Sequence, residues 1–290
     1  MRQSNRSGRT WFALIAITAF LSIPTTPVLA DVFYVADQGQ LVGISAAGVP
    51  TVLIKIPEKG FYDPTSIAID DTGNLYLSNK DSVDIQKVTP NLGVSVFLST
   101  HVQAWGVATD RLNNIYLAEP LGNTILKVTP GGVPTLLTDQ VNRPASIAVD
   151  SAGNVFSSNW DNTVSKITPG GSVSTLASGI NIPAGIALNG DGNVYVADLG
   201  DNSVLKIAPD GTITTFATGL DLPMDLTFGS NGDLYVLNRH TISEVTPSGV
   251  VMPFASGLIH PLGIVAQSVP EPSTMMIFAG VSMGLLSRHR

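Results

Sequence analysis

A unit of about 40 residues recurs along this chain, and a chain built that way has few folds open to it. One copy runs Pro64-Thr65-Ser66-Ile67-Ala68-Ile69-Asp70, then Gly73-Asn74-Leu75-Tyr76-Leu77, then Gln86-Lys87-Val88-Thr89-Pro90, then Val94-Ser95-Val96-Phe97-Leu98. Its opening segment returns at 106–110, 146–150, 185–189 and 225–228. Lys87, Lys127, Lys166, Lys206 and Glu244 hold one equivalent position, at intervals of 40, 39, 40 and 38 residues.

Each unit holds four short runs rich in β-branched and aromatic residues, separated by turn chemistry. Between the first two runs stands Asp-x-x-Gly-Asn or a close variant, from Asp70 to Asn74, Asp150 to Asn154 and Asn189 to Asn193. The leading Asx folds back on the backbone, and the glycine supplies a positive φ. Between the third and fourth runs stands Thr-Pro-Gly-Gly at 129–132 and 168–171, or Pro209-Asp210-Gly211 and Pro247-Ser248-Gly249. Four antiparallel strands per unit make one propeller blade. Such a sheet cannot bury both faces alone, so blades must stack around an axis.

Five complete units span 61–99, 103–138, 142–178, 181–218 and 221–256. The remainder is split between the ends. Segments 31–37, 41–45 and 51–56 match the second, third and fourth strands, and 261–266 matches the missing first strand. The expected fold is an all-β, six-bladed β-propeller over 31–268, whose sixth blade is closed by both ends of the domain. Closure removes sheet edges that would otherwise invite aggregation. The repeat resembles the NHL family, as in Asn193-Val194-Tyr195-Val196-Ala197-Asp198 followed by 201–207. That resemblance implies the propeller fold. NHL-like propellers range from protein-binding scaffolds and RNA-binding domains to sugar-lactone hydrolases and a lyase, so it does not choose a function.

The two ends read as addresses. Residues 1–30 form a signal peptide, with Arg2, Arg6 and Arg9 before an apolar stretch at 11–23 and small residues before an expected cut between Ala30 and Asp31. At the other end, Val269-Pro270-Glu271-Pro272-Ser273 precedes an apolar stretch at 275–286 and then Arg288-His289-Arg290. This segment, 269–290, resembles the PEP-CTERM sorting signal. The resemblance implies a short hydrophobic helix that anchors transiently in the inner membrane and an exosortase-type protease that processes it. It also implies a Gram-negative host that places the protein on its outer surface or in its extracellular matrix. The expected processing partners are therefore signal peptidase and the exosortase-type protease.

The net charge is −7 overall, but the ends hold five arginines and one acid, so 31–268 carries 10 Lys/Arg against 21 Asp/Glu, a net of −11. An acidic body argues against nucleic acid, where Lys/Arg contacts to phosphate dominate. With no cysteine there is no disulfide framework and no thiol chemistry.

Antiparallel order sorts the loops into two faces. The regular turns occupy one face, which is structural. The loops from strand two to three, and from each blade to the next, vary and occupy the other, where a ligand is expected. A ring of polar residues closes the second strands there: Asp37, Asn79, Glu119, Asn159, Asp198 and Asn238. Six oxygen-bearing side chains could make a cation or sugar site, or could bond the following loops. Trp105 and Trp160 could stack on a sugar or anchor a partner, or pack between blades. Phe61, Tyr62, His101, Arg143, Arg239, His240 and His260 lie nearby.

No cofactor, metal site or catalytic residue is nominated. Metal-dependent lactonases of this fold type, to which the chain is similar, carry oxygen ligands near the starts of first strands. The matching positions here are Thr65, Trp105, Ala145, Ala184, Met224 and Leu262, poor ligands for a hard cation. Asp225 is a single neighbouring acid. The leading expectation is a binding scaffold for a protein or extracellular polysaccharide. The alternative is a divergent hydrolase or lyase working at the channel mouth.

Overall fold

The computed structural model describes residues 29–55, 64–79, 82–101 and 103–270. Most of the expected leader, Phe61, Tyr62, Glu271, Pro272, Ser273 and the expected C-terminal helix lie outside the described residues. The described chain forms six four-stranded antiparallel sheets. Blades 1 to 5 open with inner strands Pro64–Ile69, Gly106–Thr109, Pro144–Val149, Pro183–Leu188 and Asp225–Phe228. Their second strands are Leu75–Asn79, Ile115–Glu119, Val155–Asn159, Val194–Asp198 and Leu234–Leu237. Third strands follow at Asp84–Val88, Thr124–Val128, Thr163–Ile167, Ser203–Ile207 and Thr241–Val245, and outer strands at Val94–Ser99, Pro134–Thr138, Val173–Ser178, Ile213–Thr218 and Val251–Ser256.

Blade 6 takes its inner strand, Pro261–Pro270, from one end of the domain and Leu29–Asp37, Gln40–Ile44 and Pro50–Lys55 from the other. The closure anticipated from the split sixth unit is thus present. The ladder also runs further than 31–268. Its register includes Phe33↔Ala266 and Asp31↔Ser268, then continues through Ala30↔Val269 to Leu29↔Pro270.

The core is divided into six clusters, one at each seam between neighbouring blades. Strand alternation makes this possible, because successive side chains point to opposite faces. Phe33 and Val35 face blade 5, against Tyr235 and Leu237, whereas Tyr34 and Ala36 face blade 1, against Ile67 and Leu77. A second strand lies between two seams, which is why all five residues of Leu75–Asn79 or Val194–Asp198 are buried. The outer strands expose Val52, Val96 and Leu136. Pro50, Pro134 and Pro253 on these edges lack a donor and blunt strand addition.

The regular turns form as Asx turns. Asp70 Oδ1 accepts from the N–H groups of Thr72 and Asn74, both at 2.9 Å. Asp110, Asp150 and Asn189 repeat the pattern.

At the axis, one equivalent position of the inner strands reads Ser66, Gly106, Ser146, Gly185, Asp225 and Gly263 around the ring. Each glycine admits the close approach of the next blade's inner strand, chiefly its backbone. A Cβ on Gly185 would collide with the Asp225 Cα and carboxylate, and one on Gly263 would sit 3.0 Å from the Ser66 Cα. Gly185→Ala is therefore expected to cost about 1–3 kcal/mol through overpacking, seen as a lower thermal midpoint. Gly190→Ala is the control, because a Cβ there meets nothing within 4 Å. Equal midpoints for both variants would refute the close approach at the axis.

Candidate functional site

The inner strands start, and the second strands end, on the face opposite the Asx turns. There the six positions matched to lactonase ligands, Thr65, Trp105, Ala145, Ala184, Met224 and Leu262, do converge. With Trp160, Ile182, Leu199 and Asp225 they line a channel-mouth cavity of about 210 Å³. Its wall is chiefly apolar.

Trp105 is fixed by its backbone. Its N–H donates to the Ala118 carbonyl at 2.8 Å, and its own carbonyl accepts from Ser78 Oγ at 2.7 Å and Thr65 Oγ1 at 3.0 Å. Its indole meets that of Trp160, from the next blade, edge to face at a centroid distance of 4.6 Å. The exposed Arg143 guanidinium lies 4.3 Å from the centre of the Trp160 ring, within cation–π range. The Trp105 Nε1 donor is buried with no acceptor among the described residues, a state that costs about 1–3 kcal/mol.

Beside the tryptophans, Ile182 holds φ at 60° while 53% exposed. A β-branched residue in the left-handed region is strained, and such strain gathers at ligand sites. The loop that imposes it is built from Asn162, also left-handed, whose Oδ1 accepts from the Ile182 N–H at 3.4 Å. Asn123 holds Arg143 and Asn202 holds Leu222 in the same way. Ile182→Asn should relieve the strain, raising stability by up to about 1 kcal/mol in a chemical denaturation curve, while removing an apolar wall of the mouth.

Asp225 stands where the mouth meets the axial channel. Burial pushes its carboxyl up from 3.8 to about 7, only partly opposed by the N–H groups of Ile264 and Leu226. The Ile264 N–H reaches Oδ2 at 2.9 Å.

The polar ring sits on this face but is enclosed. Asp37, Asn79, Glu119, Asn159, Asp198 and Asn238 are each at most 5% exposed. Asp37 accepts from the backbone of Ile259 and His260 and from Gln40 Nε2. Glu119 accepts from the Thr124 hydroxyl at 2.6 Å, and burial pushes its carboxyl up against the opposing effects of Thr124 and His101. Asn159 donates to Thr163 and Ser165, and Asn238 to Thr241 and Ser243. Asp198 accepts from the Asp201 N–H, and burial followed by the Asp201 charge raises its carboxyl. These bonds tie the second strands to neighbouring loops and to their third strands. Arg239 and His240 are exposed on the blade 5 loop and do not line the mouth, and the His101 and His260 side chains are also exposed. Among the described residues no group of three His, Cys, Asp or Glu side chains is placed to hold a metal ion.

Sequence reasoning missed Ile182, the Trp–Trp contact and the alternation of glycine with serine or aspartate at the axis. The last was readable, since Ser66, Gly106, Ser146, Gly185, Asp225 and Gly263 are equivalent positions in the aligned units.

A family model described as the PEP-CTERM protein-sorting motif matches residues 268–290. No curated protein sequence matches the chain significantly. Among solved structures, a chain of a nidogen/laminin complex is similar over 81% of this chain and 98% of its own, at 17% identity and a TM-score of 0.73. A virginiamycin B lyase from Staphylococcus aureus is similar over 76% of this chain and 78% of its own, at 18% identity and a TM-score of 0.61. A gluconolactonase from Xanthomonas campestris covers 66% of this chain and 75% of its own, at 18% identity and a TM-score of 0.61. At these identities the likeness concerns the fold. This chain is a six-bladed β-propeller carrying a PEP-CTERM protein-sorting motif, and so an exported bacterial protein handled by an exosortase-type sorting system.

Proposed function

We propose that the propeller is a non-catalytic binding scaffold displayed on the outer surface or in the extracellular matrix of a Gram-negative bacterium. Its partner is a protein that inserts an apolar side chain into the channel mouth. The observation that carries this reading is the mouth itself: a 210 Å³ cavity walled by paired indoles and by a strained, exposed isoleucine. Buried aromatic anchors in apolar pockets supply most of the affinity at protein interfaces. A polysaccharide is the second reading, favoured by the indoles alone. Sugar recognition also needs converging hydrogen-bond groups, and the ring that could have supplied them is buried, with most of its groups bonded within the protein. The nidogen/laminin structure is of a complex between proteins, in keeping with a scaffold role for such a propeller.

A divergent hydrolase or lyase is supported by Asp225 alone, whose carboxyl near 7 suits proton transfer. Bound divalent metal in the purified protein, lost on Asp225→Ala, would favour it.

Both chain ends of the propeller leave through the turn face, as the Asp31–Ser230 and Gln267–Gly73 contacts indicate, so the mouth lies at the opposite end. To test the scaffold reading, the mature domain is immobilised and presented with matrix extracted from its own host. Binding should vanish after protease treatment of the matrix, survive glycoside hydrolases, and weaken at least about tenfold in Trp105→Ala/Trp160→Ala. Binding that survives protease but not glycoside hydrolases would transfer the proposal to the polysaccharide. Binding unaffected by the double substitution would remove the mouth from it.

A further inference from the structure

The sorting motif and the expected signal-peptide cut meet in one piece of β-ladder. Val269 and Pro270, the first residues of the Val-Pro-Glu-Pro segment, pair with Ala30 and Leu29, the last residues of the expected leader. Pro261–Pro270 is the innermost strand of its sheet, so Ala30 and Leu29 are the strand partners that Val269 and Pro270 have. The next pair inward, Asp31↔Ser268, lies just inside both boundaries. That pair is fastened independently of the leader. Ser268 Oγ donates to Asp31 Oδ1 at 3.1 Å, and the Ser230 N–H of blade 5 donates to Asp31 Oδ2 at 2.8 Å. A cut between Ala30 and Asp31 would therefore leave the ring closed to Ser268 and strip the strand partner from Val269 and Pro270.

We infer that removal of the leader licenses processing at the sorting motif. A protease needs its substrate extended and unpaired, so a segment held in a ladder is cut only through its open population. While Leu29 and Ala30 remain, the motif begins inside the sheet. Once they leave, it begins at the first free residue after the Asp31–Ser268 fastening. The order of events is then fixed by the fold, with the N-terminal cut before the C-terminal one. This rests on the motif match and on the expected cut at Ala30–Asp31, and not on what the mouth binds.

The test separates the ladder from leader cleavage itself. A heterologous leader is joined to the full remaining chain either directly before Asp31 or directly before Leu29, in a host whose membrane holds the sorting protease. Intact mass is followed in a pulse-chase. The chain starting at Leu29 should lose its C-terminal segment about tenfold more slowly, because cleavage awaits opening of the two extra pairs. Adding Leu29→Gly and Ala30→Pro to that chain, which weakens the pairing there, should restore the faster rate. Amide exchange across 266–269 should be slower in the Leu29 chain than in the Asp31 chain. Equal processing rates for the two starts, or equal exchange, would overturn the inference. So would detection of Arg290 in the mature Asp31 chain.

Discussion

Deleting residues 261–290 should abolish the cooperative unfolding transition, whereas deleting 271–290 should leave it. The first deletion removes the inner strand of blade 6 and with it the ladder from Asp37↔Pro261 to Leu29↔Pro270. Ile264 leaves the seam with blade 5, and Val265 leaves the seam with blade 1. Two of six cores open together, and the carboxyl of Asp225 loses the Ile264 N–H. A closed ring has no terminal blade with a polar outer face to cap it, so an opened seam exposes apolar surface on both sides. Several kcal/mol are lost in a fold whose net stability is about 5–15 kcal/mol. A single sharp transition in the 1–260 chain, by circular dichroism and tryptophan fluorescence together, would refute closure as the basis of stability.

Stability should also fall as pH rises through neutrality, and Asp225→Asn should flatten that fall. The sign follows from the direction of the shift. The Asp225 carboxyl is raised in the fold from 3.8 to about 7. The folded state thus holds a proton that the unfolded chain has released, and the stabilisation present below 3.8 is lost as pH climbs through 7. A shift of that size corresponds to at most about 4 kcal/mol, and roughly 2 kcal/mol after relaxation. For a domain of this size that is about 4–8 °C in the thermal midpoint between pH 5.5 and 8.5. Asparagine keeps a carbonyl acceptor for the Ile264 N–H but cannot ionise. At pH 8.5 it should therefore be the more stable protein. Glu119 and Asp198 are raised as well, so the slope should shrink without disappearing. Asp70 and Asp110 have the opposite sign: burial pushes them up, but hydrogen bonds from Asn74 and Asn114 outweigh it and hold them low. Their contribution is lost only as pH falls through their own folded values, below this window. A parallel pH profile for wild type and Asp225→Asn would show that Asp225 does not titrate there.

The period and the blade count were legible because each follows from bonds within a unit, and the shared sixth blade because the broken repeat has its missing strand at the other end. Leu75-Tyr76-Leu77 and the Asp70–Asn74 turn make a strand and a hairpin regardless of what surrounds them. The assignment of turns and variable loops to opposite faces needed only antiparallel order. Much less of the mouth could be read. Trp105 and Trp160 were visible as large residues near loops, but their edge-to-face contact joins two blades. The polar ring was visible as a periodic feature, but whether its oxygens faced a ligand or their own loops was not.

What the sequence by itself determined is the split sixth blade: a repeat broken across both ends can be completed only by closing on itself. Tertiary structure decided where that closure stops. The ladder continues through Ala30↔Val269 and Leu29↔Pro270, past the limits that the leader and the sorting motif suggested. It also decided that the six polar side chains are enclosed and that Asp225 faces Gly185 of the neighbouring blade. The physical reason is the same in each case. Hydrogen bonds within blades 1 to 5 depend on residues near one another in the chain, whereas the closing ladder joins opposite ends of the domain and contacts across a seam depend on how far each twisted sheet rotates about the axis. That rotation is set by all six seams at once.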